Sequence, residues 1–99
     1  MRKISLIPYN AGNGQPYNVR QSIINLMFNP ELRLGIRDAI ESDRIARKIE
    51  TAENDEVILE DAEYARVKQA FDEFQGYTRN EIELIARVQG AVEITVKEA

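Results

Sequence analysis

The sequence predicts a helix-rich α+β domain of about four helices and two or three short strands, in the order β-α-α-β-α-α-β. Apolar residues recur at helical spacing in four segments, each with a start or stop signal beside it. Short β-branched runs stand near both ends of the chain and at residues 57–59. The 99 residues are 43% hydrophobic and 30% charged, the balance of a single folded domain spanning 1–99 with room for one core.

The chain opens on Lys3-Ile4-Ser5-Leu6-Ile7-Pro8, a short strand that proline ends. Residues 9–17 read as a flexible loop. They hold Gly12, Asn13, Gly14 and Pro16, and glycine and asparagine tolerate positive φ while proline fixes it. Asn18 is a good N-cap, and Gln21 completes a capping-box pattern. The helix it opens carries Val19, Ile23, Leu26 and Met27 on one side, and Pro30 ends it by Asn29.

A longer helix is expected from about Leu34 to Ala52. Its stripe is Ile36, Ala39, Ile40, Ile45, Ala46 and Ile49, with one drift near Ser42. Its other face mixes Arg37, Asp38, Glu41, Asp43, Arg44, Arg47 and Lys48, and reads as solvated. Asn54-Asp55 breaks the pattern, and Val57-Ile58-Leu59 follows as a short strand. Glu60 or Asp61 starts a third helix, where carboxylates suit the positive end of the helix dipole. Tyr64, Val67, Phe71 and Phe74 form its apolar stripe, and Gly76 is its stop. Thr78-Arg79-Asn80-Glu81 is a second capping box. The fourth helix is expected to carry Ile82, Ile85, Ala86 and Gln89 on one face, with Leu84 and Val88 beside them, and to end at Gly90. Val92, Ile94, Thr95 and Val96 alternate like a closing strand. Single strands are unstable, so the terminal strands should pair with each other, with residues 57–59, or with a neighbouring molecule.

The chain has no cysteine and no histidine. Disulfides, thiol catalysis and cysteine-held metals are excluded, and the commonest general base is missing. Ser5, Ser22 and Ser42 have no histidine to activate them. The acidic run from Glu53 to Glu63 fails as a calcium loop, because Ile58 stands where that loop needs glycine. No catalytic residue, metal site or cofactor is expected, and the chain does not read as an enzyme.

Gly12-Asn13-Gly14 lies between a strand and a helix, where phosphate-binding loops lie. Together with Arg20 and the helix N-terminus it is a candidate ligand loop. A dinucleotide fingerprint would need glycine where Tyr17 stands, so a plain connection is the competing reading. The helices around Gln75-Gly76-Tyr77 resemble a helix-turn-helix, with Arg79, Asn80 and Arg87 on the second helix. Glu81 and Glu83 share that helix and would face phosphates. A net charge of −4 also argues against binding to nucleic acid.

Charge is unevenly divided. The first 30 residues hold Arg2, Lys3 and Arg20 and no acid, a split of +3 against −7 for the remainder. Either the basic end folds back on the acidic body, or it attracts the acidic body of another copy. Tyr9 and Tyr17 flank the loop outside any helical stripe, and tyrosine offers a large contact area at low entropy cost. Arg2, Lys3, Tyr9, Tyr17 and Arg20 are therefore the candidate partner-binding residues.

Three runs bear on the class of protein: Tyr17 to Ile24, Asp43 to Ile49, and Val57 to Tyr64. They resemble small proteins encoded by tailed bacteriophages. That resemblance implies an accessory protein that assists particle assembly or redirects host machinery, working by binding. The opening Met1 to Pro8 is too short in apolar residues for a signal peptide, and no run approaches a membrane span. The cytoplasm, that of a bacterial host if the chain is phage-encoded, is the expected location. The expected function is a non-enzymatic protein-binding module that associates with itself or with a phage or host protein. The alternatives are a small-molecule or nucleotide binder and, after it, a helix-turn-helix regulator of DNA.

Overall fold

A computed structural model describes residues 1–10 and 14–93. Among the described residues, four α-helices and two small antiparallel sheets make the expected α+β fold. Strand β1 (Arg2–Ser5) lies at the centre of a three-stranded sheet, between β4 (Glu56–Leu59) and β5 (Val92–Glu93). Of the three pairings the sequence allows, the two within the chain are made. In the β1–β4 ladder Arg2 faces Leu59 and Ile4 faces Val57, so Ile4, Val57 and Leu59 enter the core from one face. Lys3, Ser5, Glu56 and Ile58 occupy the opposite face. Residues 94–96 of the expected closing strand lie outside the described residues.

The expected loop at 9–17 has paired flanks. Strands β2 (Tyr9–Asn10) and β3 (Pro16–Tyr17) form a short hairpin in which Tyr9 faces Tyr17. Gly12 and Asn13 lie outside the described residues, and Gly14 has φ +80°. Helix α1 (Val19–Met27) starts where the cap predicts, with the Asn18 side chain accepting from Gln21 N at 3.1 Å. The box is not reciprocal: Gln21 Nε2 donates forward to Asn25 Oδ1 at 2.8 Å. All four residues of the expected stripe are buried. Pro30 opens a 3-10 turn (Pro30–Leu32) instead of prolonging the helix.

Helix α2 (Ile36–Thr51) corrects the expected stripe. Ile45, Ala46 and Ile49 are buried, and so is Ser42, but Ile36 is 84% exposed and Ile40 59% exposed. The drift near Ser42 is the boundary between two faces. Successive residues advance by about 100° around a helix. Positions 42, 45, 46 and 49 fall together on the core side, and positions 36 and 40 fall well away from them.

Asn54 and Asp55 both take positive φ, +61° and +52°, in the turn that feeds β4. These are residue types that tolerate the left-handed region. Helix α3 (Asp61–Glu73) buries Tyr64, Val67, Ala70 and Phe71. It stops before Gly76, with Phe74 already extended. Thr78 begins not an α-helix but a 3-10 turn (Arg79–Glu81), its hydroxyl accepting from Asn80 N and donating to Glu81 Oε2. Helix α4 (Ile82–Gln89) follows and ends at Gly90 as expected. Its buried face is Leu84 and Val88, while Ile82 is 62% exposed and Ala86 and Gln89 are exposed too. Of the face expected to carry Ile82, Ile85, Ala86 and Gln89, Ile85 alone is half-buried, and the residues expected beside it are the buried ones. Leu84 and Val88 enter the core, Ile85 packs half-buried against it, and Tyr64 donates its hydroxyl proton to Val88 O at 2.5 Å.

Candidate functional site

The basic residues of the N-terminal part fold back on their own chain. Arg2 donates to Ala91 O at 3.0 Å, lies 3.8 Å from Glu93 and stacks its guanidinium over Tyr64 at 5.2 Å. Lys3 lies 3.2 Å from Glu56 across the sheet. Arg20 donates to Ile49 O at 2.8 Å and reaches Asp55 at 3.5 Å. Its first contact satisfies a carbonyl at the C-terminal end of α2, where helices leave carbonyls without intrahelical partners. These contacts tie α1 to α2 and to the turn before β4, away from the hairpin. Exposed pairs of this kind add little stability each. Their effect here is to spend the basic charges inside the molecule.

Tyr9 and Tyr17 do meet, but chiefly each other. Their rings stack at 4.9 Å. Tyr9 donates to Asn80 O at 2.7 Å, and the Arg87 guanidinium stands 5.0 Å over its ring. Arg87 also donates to Ile7 O at 2.5 Å and to Ser5 O at 3.3 Å, and pairs with Glu83 at 3.0 Å. It binds the chain leaving β1 and the hairpin to α4, a role that no local sequence signal announces. Burial raises the Tyr9 phenol above its usual value, with Tyr17 adding to it. Burial raises Tyr17 as well, against a hydrogen bond from Ser22. Tyr17, Leu26, Phe74, Tyr77 and Leu84 line a cleft of about 210 Å³ between α1 and the segment leading into α4. Tyr77 closes one side, donating to Phe71 O at 2.6 Å and packing edge-on against Phe74 at 4.9 Å. Its phenol is pushed up to about 12, first by burial and then by Asp72 and Glu81.

A larger opening lies on the other side of the molecule. A groove of about 830 Å³ runs between α2 and the start of α3. Its α2 side is Ile36, Arg37, Ile40, Glu41, Arg44 and Lys48, and its α3 side is Glu60, Ala62 and Glu63. Lys48 and Glu63 pair at 2.7 Å. Glu63 Oε1 also accepts from Glu60 N at 2.9 Å, which fixes the start of α3. Arg37, Glu41, Arg44 and Glu60 form no ion pair among the described residues. The groove is thus an apolar strip flanked by Arg37, Glu41 and Arg44, which have no ion pair among the described residues, and by Glu60, whose side chain caps the start of α3. The signal for it was present in the sequence as the step of five from Ile40 to Ile45, which no single helical face accommodates.

Among the described residues, no group of three or more acidic side chains is placed to hold a metal ion, and no helix is long and apolar enough to cross a membrane. No family model, curated protein or solved structure matches the chain.

Proposed function

We propose that this chain is a non-enzymatic protein-binding module of the cytoplasm, and that its binding surface is the α2–α3 groove. The observation that carries the reading is the exposure of Ile36 and Ile40, at 84% and 59%, side by side on one helix. Neighbouring exposed isoleucines beside a concave surface are what a partner's apolar side chains would cover. Arg37, Glu41 and Arg44 around them suit a polar rim that orients the partner. The chain's own ion pairs engage Arg2, Lys3 and Arg20, so the binding surface moves away from those residues. An accessory role in phage assembly or host interaction, implied by the resemblance of three short runs, would use such a surface.

The test compares affinity capture by the wild-type chain and by Ile40→Glu, with Ile82→Glu as control. Ile82 is 62% exposed but lies on α4, outside the groove. Ile40→Glu should lose the captured proteins, further copies of the chain included, while Ile82→Glu keeps them. Equal capture by wild type and Ile40→Glu would overturn the reading.

A further inference from the structure

We propose that the occupant of the groove is a second copy of this chain, its α2 lying antiparallel to the first across a twofold axis at about residue 39. The inference rests on the groove being a protein-binding surface and adds its partner, symmetry and pairing.

In a twofold interface residue i meets j and j meets i, so a surface qualifies only if it matches its own rotated image. The exposed strip on α2 meets that condition. Residues rise by about 1.5 Å each along a helix, so with the axis level with residue 39 the two pairs of isoleucines interleave as Ile36, the partner's Ile40, Ile40, the partner's Ile36. Neighbours in that ladder are about 3 Å apart along the axis, which is the spacing of interdigitated side chains. Arg37 and Glu41 lie one turn apart on the same flank of the strip. Rotation about that axis keeps the flank on the same side and reverses its direction. Arg37 therefore meets the partner's Glu41, and Glu41 meets the partner's Arg37.

Charge supports this occupant independently of shape. Arg37 and Glu41 have no ion pair within the described chain, whereas Arg2, Lys3, Arg20, Lys48 and Arg87 each have one. The pairing gives both a counter-ion at once. Asp43 and Arg47, which continue the same stripe toward the C-terminus, neutralise each other in a pair at 3.0 Å, and Asp38 leans toward Arg66 at 3.9 Å. Arg44 lies beyond the isoleucine ladder and, like Glu60 across from it, lines the groove.

The experiment is a charge swap read by sedimentation equilibrium, with circular dichroism confirming equal helix content. Wild type should form a dimer. Arg37→Glu alone and Glu41→Arg alone each place like charges opposite one another twice, and each should dissociate about tenfold more readily. The two single variants mixed in equal amounts should pair as a heterodimer at close to wild-type strength, because both contacts are then complementary. The double variant should dimerise likewise. A monomeric wild-type chain would overturn the inference, as would a dimer whose strength the swaps leave unchanged. Either result, combined with capture that still depends on Ile40, would leave the groove as a binding surface for a different protein and remove only the second copy.

Discussion

Replacing Ser42 by alanine should stabilise the protein. Ser42 is 0% exposed in the middle of α2, on the face that carries Ile45 and Ile49, and its hydroxyl has no hydrogen-bond partner. A buried polar group left unsatisfied costs about 1–3 kcal/mol. Alanine also exceeds serine in helix propensity by about 0.5 kcal/mol. Against these gains stands the small void left by one oxygen, a few tenths of a kcal/mol at about 24 cal/mol per Å³. The net expectation is stabilisation of about 1–3 kcal/mol. In a domain of 99 residues each kcal/mol raises Tm by about 4–8 °C, so the rise should be at least about 4 °C. Calorimetry measures it directly. Urea unfolding should show a higher midpoint at unchanged slope, the mark of altered stability without altered compactness. An unchanged or lowered Tm would refute the reasoning, since it would mean that the hydroxyl is held by a buried water or another acceptor.

Further expectations follow from the same geometry. Ile49→Ala should destabilise by about 2–5 kcal/mol because its side chain is wholly buried, whereas Ile36→Ala should change monomer stability by less than about 0.5 kcal/mol; denaturant midpoints below the dimerisation range separate the two. Arg87→Met should cost about 1.5–3 kcal/mol through the lost bonds to Ser5 and Ile7 carbonyls, and Arg87→Lys should recover only part, since one ammonium cannot span both carbonyls, Glu83 and the Tyr9 ring. Tyr77 is raised from 10.0 to about 12, so between those pH values the folded chain keeps a proton that the unfolded chain has lost. Stability contributed by Tyr77 is therefore complete below pH 10 and lost as pH rises toward 12. Thermal melts of wild type and Tyr77→Phe across that range should show a smaller alkaline decline in the variant.

Local signals located most of the elements. Asn18 capped α1, Gly90 closed α4, and the stripe of Tyr64, Val67 and Phe71 marked the inner face of α3. Each of these depends on residues within one or two helical turns, which is the range over which capping and periodicity act. Face assignment in α4 was less legible, because Ile82, Leu84, Ile85 and Val88 surround most of the helix and periodicity alone does not say which stripe meets the core. Tertiary packing decides it, through Tyr64 reaching Val88. The hairpin at Tyr9 and Tyr17 was also hidden, since strands of two residues carry no period. It is held from outside by Arg87 and Asn80, some 70 residues away in the chain. The candidate groove was half legible: the drift in the α2 stripe marks two faces, but only the fold tells which of them is left uncovered.

The central claim, that two copies meet through the exposed strip of α2, is tested most directly by a single introduced thiol. The chain has no cysteine, so Ile40→Cys carries the only one, close to the proposed twofold axis. Under mild oxidation it should form a disulfide-linked dimer at least about tenfold faster than Ile82→Cys, because association raises the local thiol concentration to the millimolar range only at the interface. Linkage of Ile40→Cys no faster than that of Ile82→Cys would contradict the account.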